Sequence, residues 1–156
     1  MKVHLVAALV TVGVLTSMRP LAGQDVSGFA GGAAAGDGRN NRHGAVGGGL
    51  VAQTGLPWVS MGAQADIFPP SAPRATMFVQ GNFLPNGEVR PFLLAGLSWG
   101  ELSGPMYGAG VELRPRGTRL GLRGSIENYL WRSSGRGGSN RNQVSLRLGI
   151  LYRWSS

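Results

Sequence analysis

The C-terminal stretch of the chain alternates strictly between apolar and polar positions. One parity holds Val144, Leu146, Leu148, Ile150, Tyr152 and Trp154. The other parity includes Gln143, Ser145, Arg147 and Arg153. Successive side chains of a β-strand point to opposite faces. The pattern therefore predicts a strand with one fully apolar face and with arginines on the opposite face.

The same alternation recurs along the chain from residue 25 onward. It is seen in eight segments, near residues 25–35, 44–53, 58–68, 74–83, 90–99, 106–114, 119–131 and 142–154. The prolines from Pro57 to Pro115 lie at the ends of these segments or between them, where the missing N–H group is tolerated. No segment has helical periodicity. Regularly spaced strands with turn signals between them predict a β-barrel or a β-sandwich.

Three of the other segments illustrate the two faces. Their apolar sides are Val59, Met61, Ala63, Ala65 and Ile67, then Ala109, Val111 and Leu113, then Leu120, Leu122 and Ile126. Their opposite sides carry Ser60, Gln64 and Asp66, then Glu112 and Arg114, then Arg123, Ser125 and Glu127. A soluble sandwich would show the same alternation with its apolar side inward. Alternation alone therefore leaves both architectures open.

The positions of the aromatic residues favour a membrane barrel. If the first strand runs outward across a membrane, one set lies at the inner ends of the strands: Trp58, Phe83, Phe92, Tyr152 and Trp154. A second set lies at the outer ends: Phe68, Trp99, Tyr107, Tyr129 and Trp131. Two belts of Trp, Tyr and Phe are typical of the two interfaces of a bilayer, because the ring is apolar and its polar group stays hydrated.

The connections fit this orientation in part. The inner links near "TGLP", "LPNGEV" and "RPRGT" are short, whereas the outer links "GDGRNNR" and "SSGRGGSNRN" are long and polar. The two middle outer links, near "PPSAP" and "GELSGP", are short as well. The length asymmetry typical of outer-membrane barrels is therefore half met.

The N-terminus predicts export. Met1 and Lys2 form a short basic start, residues 3–15 are almost wholly apolar, and small residues follow at Ala22 and Gly23. This is the pattern of a secretory signal peptide, and the apolar run is shorter than the roughly 20 residues of a spanning helix. We therefore expect a signal peptide over residues 1–23 and one barrel domain over residues 24–156.

Composition and charge restrict the partners. Beyond Gly23 the chain has 13 arginines, no lysine and seven acidic residues, a net charge of +6, and the whole chain has no cysteine. The arginines are dispersed rather than gathered in one patch, and an exported chain rarely meets nucleic acid. We therefore expect membrane phosphates, not nucleic acid, as the anionic partner. A disulfide framework or a thiolate metal site is excluded.

A family resemblance adds to this interpretation. Arg147, Gly149, Tyr152 and Trp154 follow the order polar, x, Gly, x, x, aromatic, x, aromatic. This order resembles the C-terminal assembly signal of bacterial outer-membrane β-barrels, although Ser155 and Ser156 follow the last aromatic residue, where the family usually ends. The segments "RPFLLAGLSWG" and "YGAGVELRP" also resemble strands of small barrels of the OmpA and OmpX kind.

The resemblance covers about residues 25 to 154. It implies an all-β fold, an eight-stranded antiparallel up-and-down barrel in the outer membrane of a Gram-negative bacterium. It also implies insertion by the outer-membrane assembly machinery. We further expect outer-membrane lipid and lipopolysaccharide as surroundings, and a monomer.

An eight-stranded barrel has an interior that side chains just fill. The inward candidates are Ser60, Gln64, Asp66, Gln80, Asn82, Glu112, Arg123, Ser125, Glu127, Ser145 and Arg147. If the last hairpin turns near Gly137, Glu127 faces Arg147 directly, and the turn near "PRGT" brings Glu112 diagonal to Arg123. We predict a lumen charge network of these four residues, which leaves little room for porin-like solute flow.

A second candidate site lies in the outer loops. Six arginines there outnumber Asp37 and Glu101: Arg39, Arg42, Arg74, Arg132, Arg136 and Arg141. Guanidinium groups bind phosphates as bidentate forks. These residues could hold lipopolysaccharide phosphates, or they could simply be solvated.

The sequence gives little support to catalysis. His43 is the one histidine beyond residue 23, and only Asp37 or Ser134 could approach it. A lipid A-modifying enzyme and a metal site, which needs three or four ligands, are therefore disfavoured, and we expect neither a cofactor nor catalysis. We expect a structural, envelope-integrity or surface-interaction role. The alternative is a secreted lipocalin-like barrel that carries a small apolar ligand.

Overall fold

The chain folds into eight strands. The computed structural model describes residues 25–36, 42–67, 73–100, 103–132 and 140–154, with backbone alone at positions 42, 43, 131, 132, 140 and 141. The strands are β1 (Val26–Gly36), β2 (Arg42–Gln53), β3 (Val59–Ile67), β4 (Arg74–Asn82), β5 (Val89–Trp99), β6 (Gly104–Leu113), β7 (Leu120–Arg132) and β8 (Asn140–Trp154). Each coincides with one predicted segment, and the ends differ by at most two residues. The predicted all-β fold is confirmed.

The strands close into a barrel in chain order. Each strand pairs antiparallel with the next, and β1 pairs antiparallel with β8, from Val26 opposite Trp154 to Gly36 opposite Val144. Closure gives each of the eight strands a neighbour on both sides, so that the ladders satisfy most of the strand backbone. The predicted eight-stranded up-and-down barrel is therefore present.

The alternation of the sequence becomes an inside and an outside. Outward-facing residues of β8 such as Leu146 and Leu148 are 50% and 66% exposed, whereas Arg147 between them and the preceding Ser145 are buried. The same contrast holds on β4, where Met77 is exposed and Gln80 is buried. The polar residues thus lie in the lumen together with a smaller apolar cluster that includes Phe29, Phe78 and Phe92, and apolar residues cover the outer surface.

Inward-facing glycines let neighbouring strands curve closely around a narrow lumen. A Cβ atom added at Gly96 would meet the carbonyl oxygen of Met77 on the neighbouring strand, and one at Gly47 would meet the carboxylate of Asp66. A larger residue cannot occupy either position unless the backbone shifts.

The connections at one end of the barrel are short turns, at residues 54–58, 83–88 and 114–119. We call this end the short-turn end. These are the three inner links that the sequence predicted to be short. The predicted signal peptide and the centres of the outer links, residues 37–41, 68–72, 101–102 and 133–139, lie outside the described residues. Within the described ranges, no helix is long and apolar enough to cross a membrane.

Candidate functional site in the barrel lumen

The eleven residues that the sequence predicted to face inward do line the lumen. Ten of them are buried and Asn82, near the short-turn end, is partly buried. The buried ones include the fully enclosed charges Asp66, Glu112 and Glu127. Because isolated charges are strongly disfavoured in such surroundings, each needs a partner. The partners form two clusters.

The first cluster, here the Asp66 cluster, contains Asp66, Arg74, Glu127 and Arg147. Arg147 donates from Nη1 and Nη2 to the two carboxylate oxygens of Asp66, both at 2.7 Å. Its Nε donates to Glu127 Oε1 at 3.2 Å. One guanidinium group therefore bridges two carboxylates, with the bidentate geometry that makes such pairs strong.

The second arginine of the Asp66 cluster completes its charge balance. Arg74 donates from Nη2 to Asp66 Oδ2 at 3.2 Å and from Nη1 to Gln143 Oε1 at 2.9 Å. Its guanidinium carbon lies 3.6 Å from the ring centroid of Tyr129. The Tyr129 hydroxyl in turn donates to Glu127 Oε2 at 2.6 Å. Two carboxylates and two guanidinium groups make this cluster electrically neutral.

The Gly- and Ala-rich strands β1 and β2 make this cluster possible. Arg147 is on β8 and Asp66 is on β3, so that their ion pair spans the lumen past β1 and β2. The lumen face of these two strands carries the buried residues Ala33, Ala35 and Ala45. Longer side chains there would occupy the space that the Arg147 side chain crosses. Small residues in β1 and β2 therefore leave space for the ion pair between Arg147 and Asp66.

The second cluster, here the Glu112 cluster, lies nearer the short-turn end and contains Glu112, Arg114, Arg123 and Gln80. Arg114 Nε donates to Glu112 Oε2 at 2.8 Å, and Arg123 forms an ion pair with Glu112 Oε1. Arg123 also donates to Gln80 Oε1 at 2.8 Å. One carboxylate here faces two guanidinium groups, so that this cluster has an excess charge of +1.

Aromatic rings surround the second guanidinium group of the Glu112 cluster. The guanidinium carbon of Arg123 lies 4.2 Å from the ring centroid of Phe92, 4.8 Å from that of Phe29 and 5.8 Å from that of Phe78. A cation within about 6 Å of a ring centroid is attracted by the ring face. All three rings are buried in the lumen. The ring faces thus stabilise a charge that the single carboxylate does not balance.

The predicted register was wrong at both pairs of the charge network. Glu127 lies opposite Ser145 and Arg147 opposite Ser125, so that this pair is diagonal rather than direct. Glu112 lies directly opposite Arg123 rather than diagonal to it. The reason is that alternation defines which face a residue occupies, whereas a shift of two residues keeps every face. The Gly-rich link between β7 and β8 allows several such shifts.

Two predicted belt residues were wrong. Phe92 and Tyr129 are 1% and 4% exposed and lie in the lumen. Each shares the parity of inward residues on its own strand, so that nearness to a strand end did not bring it to the outer face. Of the other belt candidates, Trp58, Phe83, Trp99, Tyr107 and Trp154 are exposed, and Tyr152 is half-buried. Phe68 and the side chain of Trp131 lie outside the described residues.

The last two aromatic residues lie where the barrel closes. The rings of Tyr152 and Trp154 meet edge to face, with centroids 5.3 Å apart. Trp154 also covers Gly28 of β1, where an added Cβ would come within 2.5 Å of the indole ring. Tyr152 and Trp154 of the motif therefore contact each other, and Trp154 also covers β1 at the seam between β1 and β8. Arg147 of the motif belongs to the Asp66 cluster. Gly149 lies opposite Gly31.

One outer-loop arginine was also placed wrongly. Arg74 is 6% exposed and belongs to the lumen, because it begins β4 opposite Asp66 and shares the parity of Thr76 and Gln80. That parity was the signal that could have identified it. Arg39 and Arg136 lie outside the described residues, as do the side chains of Arg42, Arg132 and Arg141. The sequence reasoning also missed Arg114, Tyr129 and Gln143 as members of the lumen clusters.

The described part of the chain contains no group of three or more His, Asp or Glu side chains that could hold a metal ion. The candidate catalytic residues Asp37 and Ser134, and the side chain of His43, lie outside the described residues. What the described lumen can do chemically is to hold buried charges in fixed pairs.

Comparisons with known proteins concern the fold. No protein-family model matches the sequence, and no curated protein matches it. A solved barrel from the de novo design of transmembrane β-barrels is similar, with a TM-score of 0.65 and 15% identity over 88% of this chain and 100% of its own. Neisserial surface protein A, NspA, has a TM-score of 0.64 and 13% identity over 87% of this chain and 100% of its own.

A third similar structure is Ail, the attachment invasion locus protein of Yersinia pestis, in complex with the heparin analogue sucrose octasulfate. It has a TM-score of 0.56 and 11% identity over 86% of this chain and 100% of its own. At these identities the likeness shows the architecture. The chain has the fold of the small outer-membrane β-barrels, as its C-terminal motif predicted.

Proposed function

We propose that this protein is an exported, non-enzymatic outer-membrane β-barrel with a side-chain-filled lumen and a structural, envelope-integrity or surface-interaction role. The observation that carries the proposal is the distribution of its side chains. Apolar residues cover the outside of the barrel, while the inside holds fully buried charges. This is the reverse of a soluble protein and is what a hydrocarbon environment requires.

The outer surface supports a membrane location. Large apolar residues are about half exposed on the strands from β2 to β8, for example Leu93 on β5 at 54% and Ile126 on β7 at 58%. A continuous exposed apolar surface of this kind marks contact with a membrane or a partner. The exposed aromatic residues near the strand ends agree with belts at the two interfaces.

The same distribution disfavours the secreted lipocalin-like carrier. Such a barrel would need a lumen that receives an apolar ligand and an outer face that water can solvate. Here the Asp66 cluster crosses the lumen, and the apolar lumen residues Phe29, Phe78 and Phe92 surround the guanidinium group of Arg123. An apolar ligand would have to displace these contacts.

The lumen contacts also support a barrel that passes no solutes. The ion pair between Arg147 and Asp66 crosses the lumen from β8 to β3, and Gln64 on β3 bonds to Glu127 on the opposite strand β7 at 3.0 Å. Breaking a buried pair typically costs about 3–5 kcal/mol. Opening the lumen would require several such contacts to be lost together, so we expect no porin-like conductance.

The partners we propose follow from this location. Membrane lipid surrounds the apolar face, and the outer-membrane assembly machinery inserts the chain, acting on a signal that includes Tyr152 and Trp154. The outer-loop arginines other than Arg74 remain candidates for lipopolysaccharide phosphates. The Ail structure contains a sulfated heparin analogue, which makes a polyanion a reasonable probe for those loops.

Fractionation of bacteria that express the full chain tests the proposal. We expect the protein in the outer-membrane fraction, with faster gel migration before boiling than after it, because a closed barrel stays folded in detergent. A soluble periplasmic protein without this heat-dependent shift would support the carrier. In planar bilayers we expect no ion conductance, and steady channels would contradict the filled lumen.

A further inference from the structure

The three turns of the short-turn end differ in character. The turns between β2 and β3 and between β4 and β5 present exposed apolar side chains: Leu56, Trp58, Phe83 and Leu84. Both contain the dipeptide Leu-Pro, at Leu56–Pro57 and Leu84–Pro85. The third turn, between β6 and β7, carries Arg114, Arg116 and Arg119 instead. We call the first two the apolar turns and the third the basic turn.

The apolar side chains extend beyond the outer face of the strands. β2 ends at Gln53, β4 ends at Asn82, and β5 begins at Val89. Leu84 and Leu56 lie past these ends and are 66% and 51% exposed. In water, these side chains would add exposed apolar surface at the tips of turns, where polar residues are usual.

Several backbone groups of the apolar turns are hydrogen-bonded within the turns. In the first turn, Thr54 N and Oγ1 donate to the Val59 carbonyl oxygen at 3.0 and 2.9 Å, and Val59 N donates to the Leu56 carbonyl oxygen at 3.1 Å. The Gln53 side chain donates to the Pro57 carbonyl oxygen at 3.1 Å. The two prolines have no N–H group to satisfy.

The second apolar turn is bonded in the same way and is tied to the first. Gly87 N donates to the Leu84 carbonyl oxygen at 3.0 Å, and Arg90 Nε donates to the Gly87 carbonyl oxygen at 3.2 Å. Asn82 N donates to the Trp58 carbonyl oxygen at 2.7 Å, which joins the two turns. The backbone groups that are bonded in this way lose less on leaving water than unbonded groups would.

The conformation of Leu84 is a separate observation. Its φ angle is +56°, and among the described residues it is the non-glycine residue with positive φ. Glycine or asparagine adopts this region far more readily than leucine does. Backbone strain of this kind is found where a particular side chain is needed. Here the strained position carries a leucine that points away from the barrel.

The basic turn presents an exposed charged side chain. Arg116 is 86% exposed, and it forms an ion pair at 3.5 Å with the half-exposed Glu88, the last residue of the second apolar turn. Arg153 donates to the carbonyl oxygens of Thr118 and Pro115, the latter at 3.5 Å. Charged groups of this kind remain hydrated or lie beside lipid phosphates.

We propose that the apolar turns form an anchor that inserts into the interfacial layer of the adjacent phospholipid leaflet, while the basic turn stays in water beside the headgroups. The short-turn end is then embedded unevenly, deeper at β2–β5 than at β6–β7. Continuity of the apolar turns with the outer apolar face makes lipid the occupant. This inference rests on the proposed membrane location.

Single-cysteine probes test the depth of each turn. The chain has no cysteine, so Leu84→Cys, Leu56→Cys, Arg116→Cys and Leu93→Cys can each carry one environment-sensitive fluorophore. Leu93 lies mid-strand on the outer face and reports whether the barrel is in the membrane at all. Each labelled variant is refolded into phospholipid vesicles, checked for the heat-dependent gel shift, and quenched with lipids brominated at shallow or deep positions or with an aqueous quencher.

We expect deep lipids to quench the Leu93 probe, shallow lipids to quench the Leu84 and Leu56 probes, and the aqueous quencher to act most strongly on the Arg116 probe. Aqueous Leu84 and Leu56 probes beside a lipid-quenched Leu93 probe would overturn the anchor and leave the apolar turns to a protein partner. Equal depth at Leu84 and Arg116 would also overturn it. An aqueous Leu93 probe would contradict the membrane location itself.

Discussion

The two ion clusters of the lumen contain the same kinds of side chain but balance their charges differently. The Asp66 cluster pairs two carboxylates with two guanidinium groups from β3, β4, β7 and β8. The Glu112 cluster pairs one carboxylate with Arg114 and Arg123 and turns the faces of three phenylalanines toward the latter. The Asp66 cluster has two carboxylates, so that one remains if the other is lost. The Glu112 cluster has a single carboxylate.

The two clusters show two ways in which a narrow lumen stabilises buried charge. Where chains from opposite walls can meet, carboxylates neutralise guanidinium groups directly. Where the wall is lined with Phe29, Phe78 and Phe92, ring faces provide a weaker attraction that needs no counter-charge. We expect the Glu112 cluster to be sensitive to loss of its acid and the Asp66 cluster to be more tolerant.

The largest effect should come from Glu112→Gln. It leaves Arg114 and Arg123 buried without an acid, and removing one partner of a buried pair typically costs about 3–5 kcal/mol. Urea unfolding in lipid vesicles measures the loss. The matched variant is Glu127→Gln, which leaves Arg147 with Asp66, and for which we expect about 1–3 kcal/mol. Equal losses of stability for both variants would contradict the claim that the Glu112 cluster is more sensitive to loss of an acid.

A second variant perturbs the Asp66 cluster and the backbone of β3 beside it. A Cβ atom at Gly47 would meet Asp66 Oδ1 and the Ala65 carbonyl oxygen, so Gly47→Ala should displace the carboxylate that holds Arg147. Overpacking of this kind costs up to about 3 kcal/mol. Gly44→Ala on the same strand is the control, because an added Cβ there has nothing within 4 Å. If both variants unfold at the same urea concentration, the close contact at Gly47 is unimportant.

The third prediction concerns redundancy within the Asp66 cluster. Glu127→Ala and Arg147→Ala each unbalance its charge, whereas the double variant keeps Asp66 paired with Arg74. We therefore expect the double variant to lose about 2 kcal/mol less than the sum of the single variants, within the range for residues of one network. The same unfolding measurement on all three variants gives the coupling. Strictly additive losses would mean that Glu127 and Arg147 act independently.

The smallest effect should come from the aromatic side of the Glu112 cluster. Phe92→Leu keeps an apolar side chain but removes the ring face 4.2 Å from the Arg123 guanidinium carbon. We expect a loss of up to about 2 kcal/mol, the value for a desolvated cation–π contact, because two other rings remain near the guanidinium group. Phe78→Leu should cost less, because that ring lies 5.8 Å away. The reverse order would exclude the ring faces as the cause.

Sequence alone determined the number of strands, their bounds within two residues and the face that each residue occupies. These properties follow from alternation, which is local: a strand turns successive side chains to opposite sides whatever it pairs with. Arg147 could therefore be placed in the lumen from its neighbours. Tyr129 and Arg74 carried the same parity signal, and they were misplaced because nearness to a strand end was weighted above parity.

Which inward residues form ion pairs with one another depends on the tertiary structure. Arg147 and Asp66 are 81 positions apart, and they pair because closure of the barrel leaves two strands, β1 and β2, between β8 and β3 around a narrow lumen. Register is likewise set by closure, since any shift by two residues satisfies alternation equally well. Alternation also could not foresee that Gly47 and the alanines of β1 and β2 make room for a side chain from another strand. That role depends on a space that exists only after all eight strands have closed.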